Sequence, residues 1–355
     1  MNKAGSREVV VVTGASAGLG RAIAHAFARE GARVGLIARD LERLEAVKRE
    51  VEELGGEALP LVADVAAPEQ VEHAASQVED QFGPIDIWVN NAMTTVFANF
   101  RDIRAEEFKR VTEVTYLGTV YGTSAALSRM IPRDRGVVVQ VGSALSERSI
   151  PLQSAYCGAK HGIRGFTDSI RCELRHDRSR VHITMVQMPA LNTPQFSWVM
   201  SRLPKKAQPV PPIFQPEVAA QAVVWAAHHR RRELFVGMST VKAMFGNRVI
   251  PGLLDRFLAG KGYDAQQTEE PEDPNRPNNL WHTVPGSFGA HGSFDDKAHS
   301  RSPELWMAER KWWGMGLAAA GVATAAALML RKNGRMAGRA RTSERGGSHG
   351  SDGDW

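Results

Sequence analysis

Residues 9–20 read Val-Val-Val-Val-Thr-Gly-Ala-Ser-Ala-Gly-Leu-Gly, and this stretch decides the fold. The run of valines predicts a short buried strand, and an apolar helical pattern follows the last glycine through Ile23, Phe27 and Ala28. Glycines in the turn let the backbone approach a pyrophosphate, and the first N–H groups of the helix favour negative charge. A lone glycine motif is weak evidence, but its place between a strand and a helix predicts dinucleotide binding.

Strands and helices alternate along the chain after this turn. Further strands are predicted at 33–38, 58–62, 85–89, 136–141, 181–187 and 233–236, with helical patterns between them. This alternation implies right-handed crossovers and a parallel sheet covered on both faces. We therefore predict an α/β fold: a Rossmann-type doubly wound parallel sheet of about seven strands over residues 1–262. Ligands of such sheets bind beyond the carboxyl ends of the strands, where Gly14, Arg39, Asp64 and Asn90 fall.

The end of the second strand bears on the choice between the two nicotinamide dinucleotides. A carboxylate there would bond a ribose 2′-hydroxyl, whereas an arginine suits a 2′-phosphate. Ala38 ends the strand and Arg39 follows, so the sequence favours NADP(H) over NAD(H). The alternative is that Arg39 is a solvated charge in a loop. Asp40 is predicted to be the N-cap of a helix over 41–54.

A second motif, Tyr156-Cys-Gly-Ala-Lys160, lies on a later predicted helix. Residues four apart share one face of a helix, so an ammonium can sit beside the phenol and make its anion easier to form. This arrangement suits proton transfer, although a Tyr-x-x-x-Lys pair can also occur by chance on an amphipathic helix. Ser143 follows the strand over 136–141 and is a candidate to hold a substrate oxygen, or else a turn or cap residue.

The first 240 or so residues resemble the short-chain dehydrogenase/reductase family. The motifs that carry the resemblance are Thr13-Gly14-x-x-x-Gly18-x-Gly20, Asn90-Asn91-Ala92, Ser143, and Tyr156-x-x-x-Lys160, in that order. The resemblance implies hydride transfer between a nicotinamide and an alcohol or carbonyl carbon. It also implies that Tyr156 is the general acid/base, that Lys160 lowers its pKa and holds the nicotinamide ribose, and that Ser143 orients the substrate. The residues implied to contact the cofactor are Gly14, Ser16, Gly18, Leu19, Gly20, Arg39, Asp64, Val65, Asn91, Tyr156 and Lys160.

Three positions depart from the family's pattern. Met93 stands where a glycine usually follows Asn-Asn-Ala, so a large side chain is expected at the nicotinamide pocket. Thr115 takes the place of the asparagine in the family's proton relay, and its shorter side chain is expected to work through a water. Ala190 replaces the glycine of a Pro-Gly turn, which puts the backbone geometry of that loop in doubt.

Composition limits the other possibilities. The 355 residues carry a net charge of +5, with basic residues spread along the chain until the last 25, so no nucleic-acid partner is predicted. The two cysteines, Cys157 and Cys172, make neither a disulfide framework nor a metal site. The Pro-rich, apolar segment 195–214 is expected to form either a lid over a hydrophobic substrate or a subunit contact. A homo-oligomer is expected.

The last hundred residues change in character. Residues 263–305 have the composition of a linker, with Trp281, Phe288 and Phe294 as candidate anchors on the domain surface. Within the hydrophobic helix predicted at 306–332, residues 312–330 are uncharged and span about 28 Å as a helix, which suits a membrane anchor. The alternatives are an Ala-rich packing helix or a helix lying in the interface. Residues 333–355 form a basic tail.

The sequence therefore predicts an NADP(H)-dependent oxidoreductase that acts on a hydrophobic alcohol, ketone or aldehyde. We expect it to be membrane-associated, with its catalytic domain on the cytoplasmic side. The alternative function is a non-catalytic dinucleotide-binding sensor or scaffold at a membrane.

Overall fold

Seven parallel strands form the central sheet of the structure, a computed structural model that describes residues 7–309. Their pairing gives the order β7-β6-β5-β4-β1-β2-β3. The strands are β1 (Val9–Thr13), β2 (Arg33–Ala38), β3 (Glu57–Val62), β4 (Ile87–Asn90), β5 (Val137–Val141), β6 (His182–Gln187) and β7 (Glu233–Phe235). The predicted α/β fold with a doubly wound parallel sheet is confirmed.

The strand order reverses at β1, which has β2 on one side and β4 on the other. In doubly wound sheets this reversal opens a crevice beyond the carboxyl ends of the strands. Val10 of β1 pairs with Val34 of β2 and with Ile87 of β4, so the glycine turn after β1 opens directly into that crevice.

Helices cover the sheet and connect its strands. They are α1 (Gly18–Ala28), α2 (Leu41–Glu53), α3 (Pro68–Phe82), α4 (Ala105–Val111), α5 (Gly118–Met130), α6 (Ser154–His176), α7 (Gln195–Trp198), α8 (Pro216–His228), α9 (Met238–Val249), α10 (Pro251–Lys261) and α11 (Pro303–Glu309). A π-helical stretch, Thr112–Leu117, joins α4 to α5. The helix α9 ends at Val249, and Pro251 begins α10.

The segment 195–214 is fastened at several points to the rest of the domain. Met200–Ser201 pairs with Val96–Phe97, and Ile213–Phe214 pairs with Ala190–Leu191. Trp198 and Leu203 are buried. The segment therefore forms one wall beside the carboxyl edge of the sheet.

Residues 263–305 differ from the predicted linker, because the compact unit that contains the sheet runs to Leu305. Gln267–Pro271 pairs antiparallel with Lys205–Ala207, and Leu280 and Phe294 are buried. The predicted aromatic anchors do pack on the domain: the Phe288 ring meets Trp198, and the Phe294 ring meets Phe196. We call residues 279–289 of this segment the strap.

The predicted hydrophobic helix over 306–332 lies largely outside the described residues, and the basic tail over 333–355 lies entirely outside them. Of the predicted helix, the structure describes the end of α11, Pro303–Glu309. No helix within residues 7–309 is long and apolar enough to cross a bilayer.

Candidate active site

The glycine turn between β1 and α1 is packed so closely that neither Gly14 nor Gly20 has room for a side chain. Gly14 has a φ of +68°, and a Cβ there would lie 2.9 Å from the Ala92 Cα. A Cβ on Gly20 would lie 2.1 Å from the Gly14 carbonyl oxygen. Because α1 begins at Gly18, the N–H groups of Leu19 and Gly20 have no acceptor within the helix, and the Gly18 N–H donates to the Gly289 carbonyl at 3.0 Å. The turn thus has the shape and the donors that an anionic phosphate group requires.

A cavity of about 400 Å³ runs from this turn along the carboxyl edge of the sheet. Every residue predicted to contact the cofactor lines it, as do Ser143 and Met93. The end beyond Ser143 is walled mainly by apolar side chains, namely Phe97, Leu145, Ile150, Phe196 and Val210. The cavity therefore has a polar end at the glycine turn and an apolar end beside the 195–214 segment.

Tyr156, Lys160 and Ser143 meet in this cavity. The Tyr156 hydroxyl shares a hydrogen bond with the Ser143 side chain. The Lys160 Nζ lies 5.6 Å from the centroid of the Tyr156 ring and donates to the Val141 carbonyl at 2.7 Å. The 23-residue helix α6 carries the tyrosine and the lysine on one face, while the end of β5 supplies the serine.

Burial sets the charge states of the phenol and the ammonium. It raises the pKa of the Tyr156 phenol above its ordinary value, and the hydrogen bond to Ser143 only partly opposes this. Burial also lowers the pKa of the Lys160 ammonium to about 8. Lys160 was expected to lower the Tyr156 pKa, but in this cavity the desolvation of the phenol outweighs any such effect. Tyr156 is therefore protonated at neutral pH and is a proton donor in that state.

The backbone at Ser143 is held by a buried polar chain. Its N–H donates to the Gln187 Oε1 at 2.9 Å, and the Gln187 amide in turn contacts the Glu147 carboxylate at 3.4 Å. Arg164 forms an ion pair with Glu147. A Cβ on Gly142 would lie 2.3 Å from the Gln187 Oε1, so a larger residue before the serine would displace the Gln187 side chain. These contacts fix the hydroxyl that faces Tyr156.

The opposite end of the cavity is lined by arginine side chains. Arg39 follows β2 and lines the cavity, and Arg43 lines it one helical turn later. Asp40 is confirmed as the N-cap of α2, because its carboxylate accepts from the Arg43 N–H at 3.0 Å. The same carboxylate accepts from the Arg43 Nε at 2.9 Å. Asp40 is thus occupied, and the cation of Arg39 is the charge nearest the end of β2.

Asp64 lies next to this group and pairs with Arg110. Burial by itself would raise the pKa of Asp64. Bonds from the Ala66 backbone and from Arg110, with the nearby Arg39 charge, hold that pKa below its ordinary value. Val65 follows and contributes an apolar surface to the cavity wall. The sequence analysis did not predict that Arg110 and Arg43 lie at the arginine-lined end of the cavity. Each of them lies on a helix and not at the end of a strand.

Thr115 is the one predicted catalytic residue that does not line the cavity. Its hydroxyl donates to the Thr94 carbonyl at 2.8 Å and accepts from the Thr94 N–H at 3.1 Å. The π-helical stretch turns this side chain toward the Thr94 backbone, so the expectation of a relay through Thr115 is not supported. Asn91 does line the cavity, and its amide secures the turn by donating to the Thr13 carbonyl at 2.9 Å.

The structure also shows the surroundings of Met93 and Ala190, the two other positions that depart from the family's pattern. Met93 lines the cavity, as expected from its position. Ala190 has an ordinary backbone, with no positive φ, and pairs with Ile213 in a short parallel strand. The loop at Ala190 therefore does not need the glycine that the family usually has there.

Comparisons with known proteins identify the family of the chain. A family model described as short chain dehydrogenase matches residues 8–201. An uncharacterized oxidoreductase, YxnA of Bacillus subtilis, is 33% identical over 297 residues, which cover 83% of each chain. A 3-dehydrosphinganine reductase of Danio rerio is 32% identical over 223 residues, 61% of this chain and 67% of the relative.

Solved structures show the same fold. A metagenomic short-chain oxidoreductase in complex with NADP has a TM-score of 0.55 and 29% identity, with coverage of 65% of this chain and 97% of the other. An alcohol dehydrogenase from Thermococcus sibiricus, complexed with 5-hydroxy-NADP, has a TM-score of 0.55 and 28% identity, with coverage of 65% and 96%. The chain belongs to the short-chain dehydrogenase/reductase family.

Proposed function

We propose that the protein is an NADP(H)-dependent oxidoreductase that interconverts a carbonyl and an alcohol on a hydrophobic substrate. The observation that carries the proposal is the meeting of Ser143, Tyr156 and Lys160 in the cavity that begins at the glycine turn. The residues present fit a dinucleotide, because the closely packed glycines of the turn and the first N–H groups of α1 suit a pyrophosphate. When bound, the nicotinamide would exchange a hydride with the substrate carbon.

The residues of the chain carry the proton and orient the substrate. Tyr156, protonated at neutral pH, would donate its proton to the substrate oxygen when the carbonyl is reduced. The Ser143 hydroxyl would hold the same oxygen. The Lys160 ammonium would stabilise the phenolate left after proton transfer. A relative named as a reductase of 3-dehydrosphinganine supports reduction as the chemistry.

We propose NADP(H) rather than NAD(H) because of the charges at the end of β2. Arg39 supplies a guanidinium for a 2′-phosphate, and Asp40, the carboxylate that follows, is occupied by Arg43. The two solved relatives with bound NADP or 5-hydroxy-NADP support this choice. The apolar end of the cavity supports a hydrophobic ketone or aldehyde as substrate.

The proposed activity is tested with purified protein, NADPH and a panel of hydrophobic ketones and aldehydes. Oxidation of NADPH that depends on the added carbonyl compound supports an enzyme. Dinucleotide binding without turnover across the panel would favour the second candidate, a non-catalytic sensor or scaffold.

We also propose that the protein associates with an anionic membrane, with its catalytic domain on the cytoplasmic side. One support is the uncharged run over 312–330. Another is the surface of α9 and α10, which exposes Phe245, Val249, Leu253 and Phe257. The basic side chains Lys242, Arg248, Arg256 and Lys261 are exposed on the same helices. Apolar and cationic side chains in this mixture suit the interface of an anionic bilayer. The homo-oligomer stays a prediction.

A further inference from the structure

The strap lies across the polar end of the cavity and contacts its donor groups through backbone carbonyls. Successive carbonyls accept from the side chains of four arginines and from the first N–H of α1. The contacts are Arg39 to Asn279 (2.7 Å) and Trp281 (3.0 Å), Arg110 to Leu280 (3.1 Å), Arg43 to Val284 (2.6 Å), Arg21 to Phe288 (2.6 Å), and the Gly18 N–H to Gly289 (3.0 Å). The strap thus follows the edge of the site from β2 to the glycine turn.

The strap forms a wall of the cavity and does not fill it. Asn279, Thr283 and Val284 line the same cavity as Gly14 and Ser16. The space of about 400 Å³ remains with the strap in this position. A neutral carbonyl does not cancel the charge of a guanidinium, so Arg39 and Arg43 keep their positive charge beside the cavity while their planes are fixed.

Few apolar contacts hold the strap in place. Leu280 is 1% exposed and packs with Val96 and Val111. The Phe288 ring meets the Trp198 ring edge to face at 4.4 Å, and the Arg43 guanidinium lies 5.3 Å from the Phe288 centroid. Elsewhere the strap is exposed on its outer side, at 281–283 and 285–287. The strap thus has few apolar anchors, and water can replace its hydrogen bonds to the arginines when it opens, so opening has a modest cost in free energy.

We infer that the strap is a gate on the cofactor site: it closes over the adenosine half of the dinucleotide and must open for the cofactor to exchange. The inference rests on the proposed use of a nicotinamide dinucleotide. When the strap is closed, its carbonyls hold the guanidinium groups of Arg39 and Arg43 beside the cavity. These side chains are therefore already ordered before the phosphates of the dinucleotide bind. Trp198 belongs to the 195–214 segment, so the same ring contact joins the gate to the wall of the substrate end.

The test measures how fast bound NADPH leaves the full-length protein. Protein loaded with NADPH is mixed with excess NADP⁺, and the loss of NADPH fluorescence is followed in a stopped-flow instrument. Phe288→Ala removes the edge-to-face contact and the stacked guanidinium, and we expect about tenfold faster release and a dissociation constant raised about as much. Trp281→Ala, at an exposed position where the ring lies 5.6 Å from the Arg110 guanidinium, is expected to act in the same direction.

The matched control is Phe100→Ala. Phe100 also makes one edge-to-face contact, with Phe108, but it is 71% exposed and does not line the cavity. Its release rate should equal that of the unmodified protein. Release unchanged in both strap variants, or tighter binding in either, would overturn the gate while leaving the proposed function intact. Failure of the unmodified protein to bind either dinucleotide would overturn both.

Discussion

Lys160→Met is the substitution whose effect on stability can be worked out most fully from the structure. The Lys160 side chain is 3% exposed, and burial moves the pKa of its ammonium from 10.5 to about 8. The unfolded chain therefore binds more protons than the folded chain between about pH 8 and 10.5, and the free energy of unfolding rises with pH in this window. Below pH 8 the buried charge costs about 3 kcal/mol.

Methionine has a similar length and no charge, so the variant should lose this pH dependence. At pH 7 the relief of about 3 kcal/mol is offset by the Val141 carbonyl, whose lost hydrogen bond costs about 1–3 kcal/mol. The most informative quantity is the difference in free energy of unfolding between the two proteins. It should change by about 1 kcal/mol per pH unit near the middle of the window, because the unmodified protein becomes more stable as the pH rises.

The assay is urea unfolding of both proteins, without cofactor, at half-unit steps from pH 7 to 10.5. Tyr156 and Cys157 titrate in both proteins, so their contributions cancel in the difference between the two curves. A difference that stays constant over this range would refute the reasoning, because it would mean that the ammonium is not desolvated in the folded state. The variant should also be inactive, since its side chain carries no charge to stabilise the phenolate.

Three other substitutions or truncations test separate parts of the account. Arg39→Ala should raise the dissociation constant for NADPH about ten- to hundredfold in calorimetry while that for NADH stays within a few fold, because only NADPH carries the 2′-phosphate; equal effects on both would remove the phosphate role. Gly20→Ala forces a methyl group to 2.1 Å from the Gly14 carbonyl and should weaken dinucleotide binding at least about tenfold; unchanged affinity would contradict the close packing of the turn. A chain ending at Glu309 should bind membranes much less than the full chain does when the two are compared by membrane fractionation. Equal membrane-bound fractions would contradict a role of residues 312–330 in membrane binding.

Local pattern was enough to predict the central sheet, and the resemblance to a known family indicated the candidate site residues. Each strand is a short, largely apolar run before a turn, and a parallel sheet brings the carboxyl ends of its strands to one edge. That geometry places Gly14, Arg39, Ser143 and Tyr156 along a single cavity although they are distant in sequence. These residues lie close together because of the topology of the sheet, and the order of strands and helices along the chain already implies that topology.

The sequence did not predict the features that depend on backbone contacts and on burial. The strap packs through carbonyl groups, which every residue has, so its Pro-, Gly- and acid-rich composition suggested a linker. The orientation of Thr115 depends on a π-helical stretch that periodicity does not reveal. The spacing of Tyr156 and Lys160 indicated a lowered tyrosine pKa, but spacing contains no information on how dry their surroundings are.

The most direct test of the central claim compares turnover in the unmodified protein and in Tyr156→Phe, with dinucleotide affinity measured on both. If Tyr156 donates the proton, carbonyl-dependent NADPH oxidation should fall at least about a hundredfold in the variant, while the dissociation constant for NADPH stays within a few fold. Turnover that survives in Tyr156→Phe at a similar rate would contradict the claim.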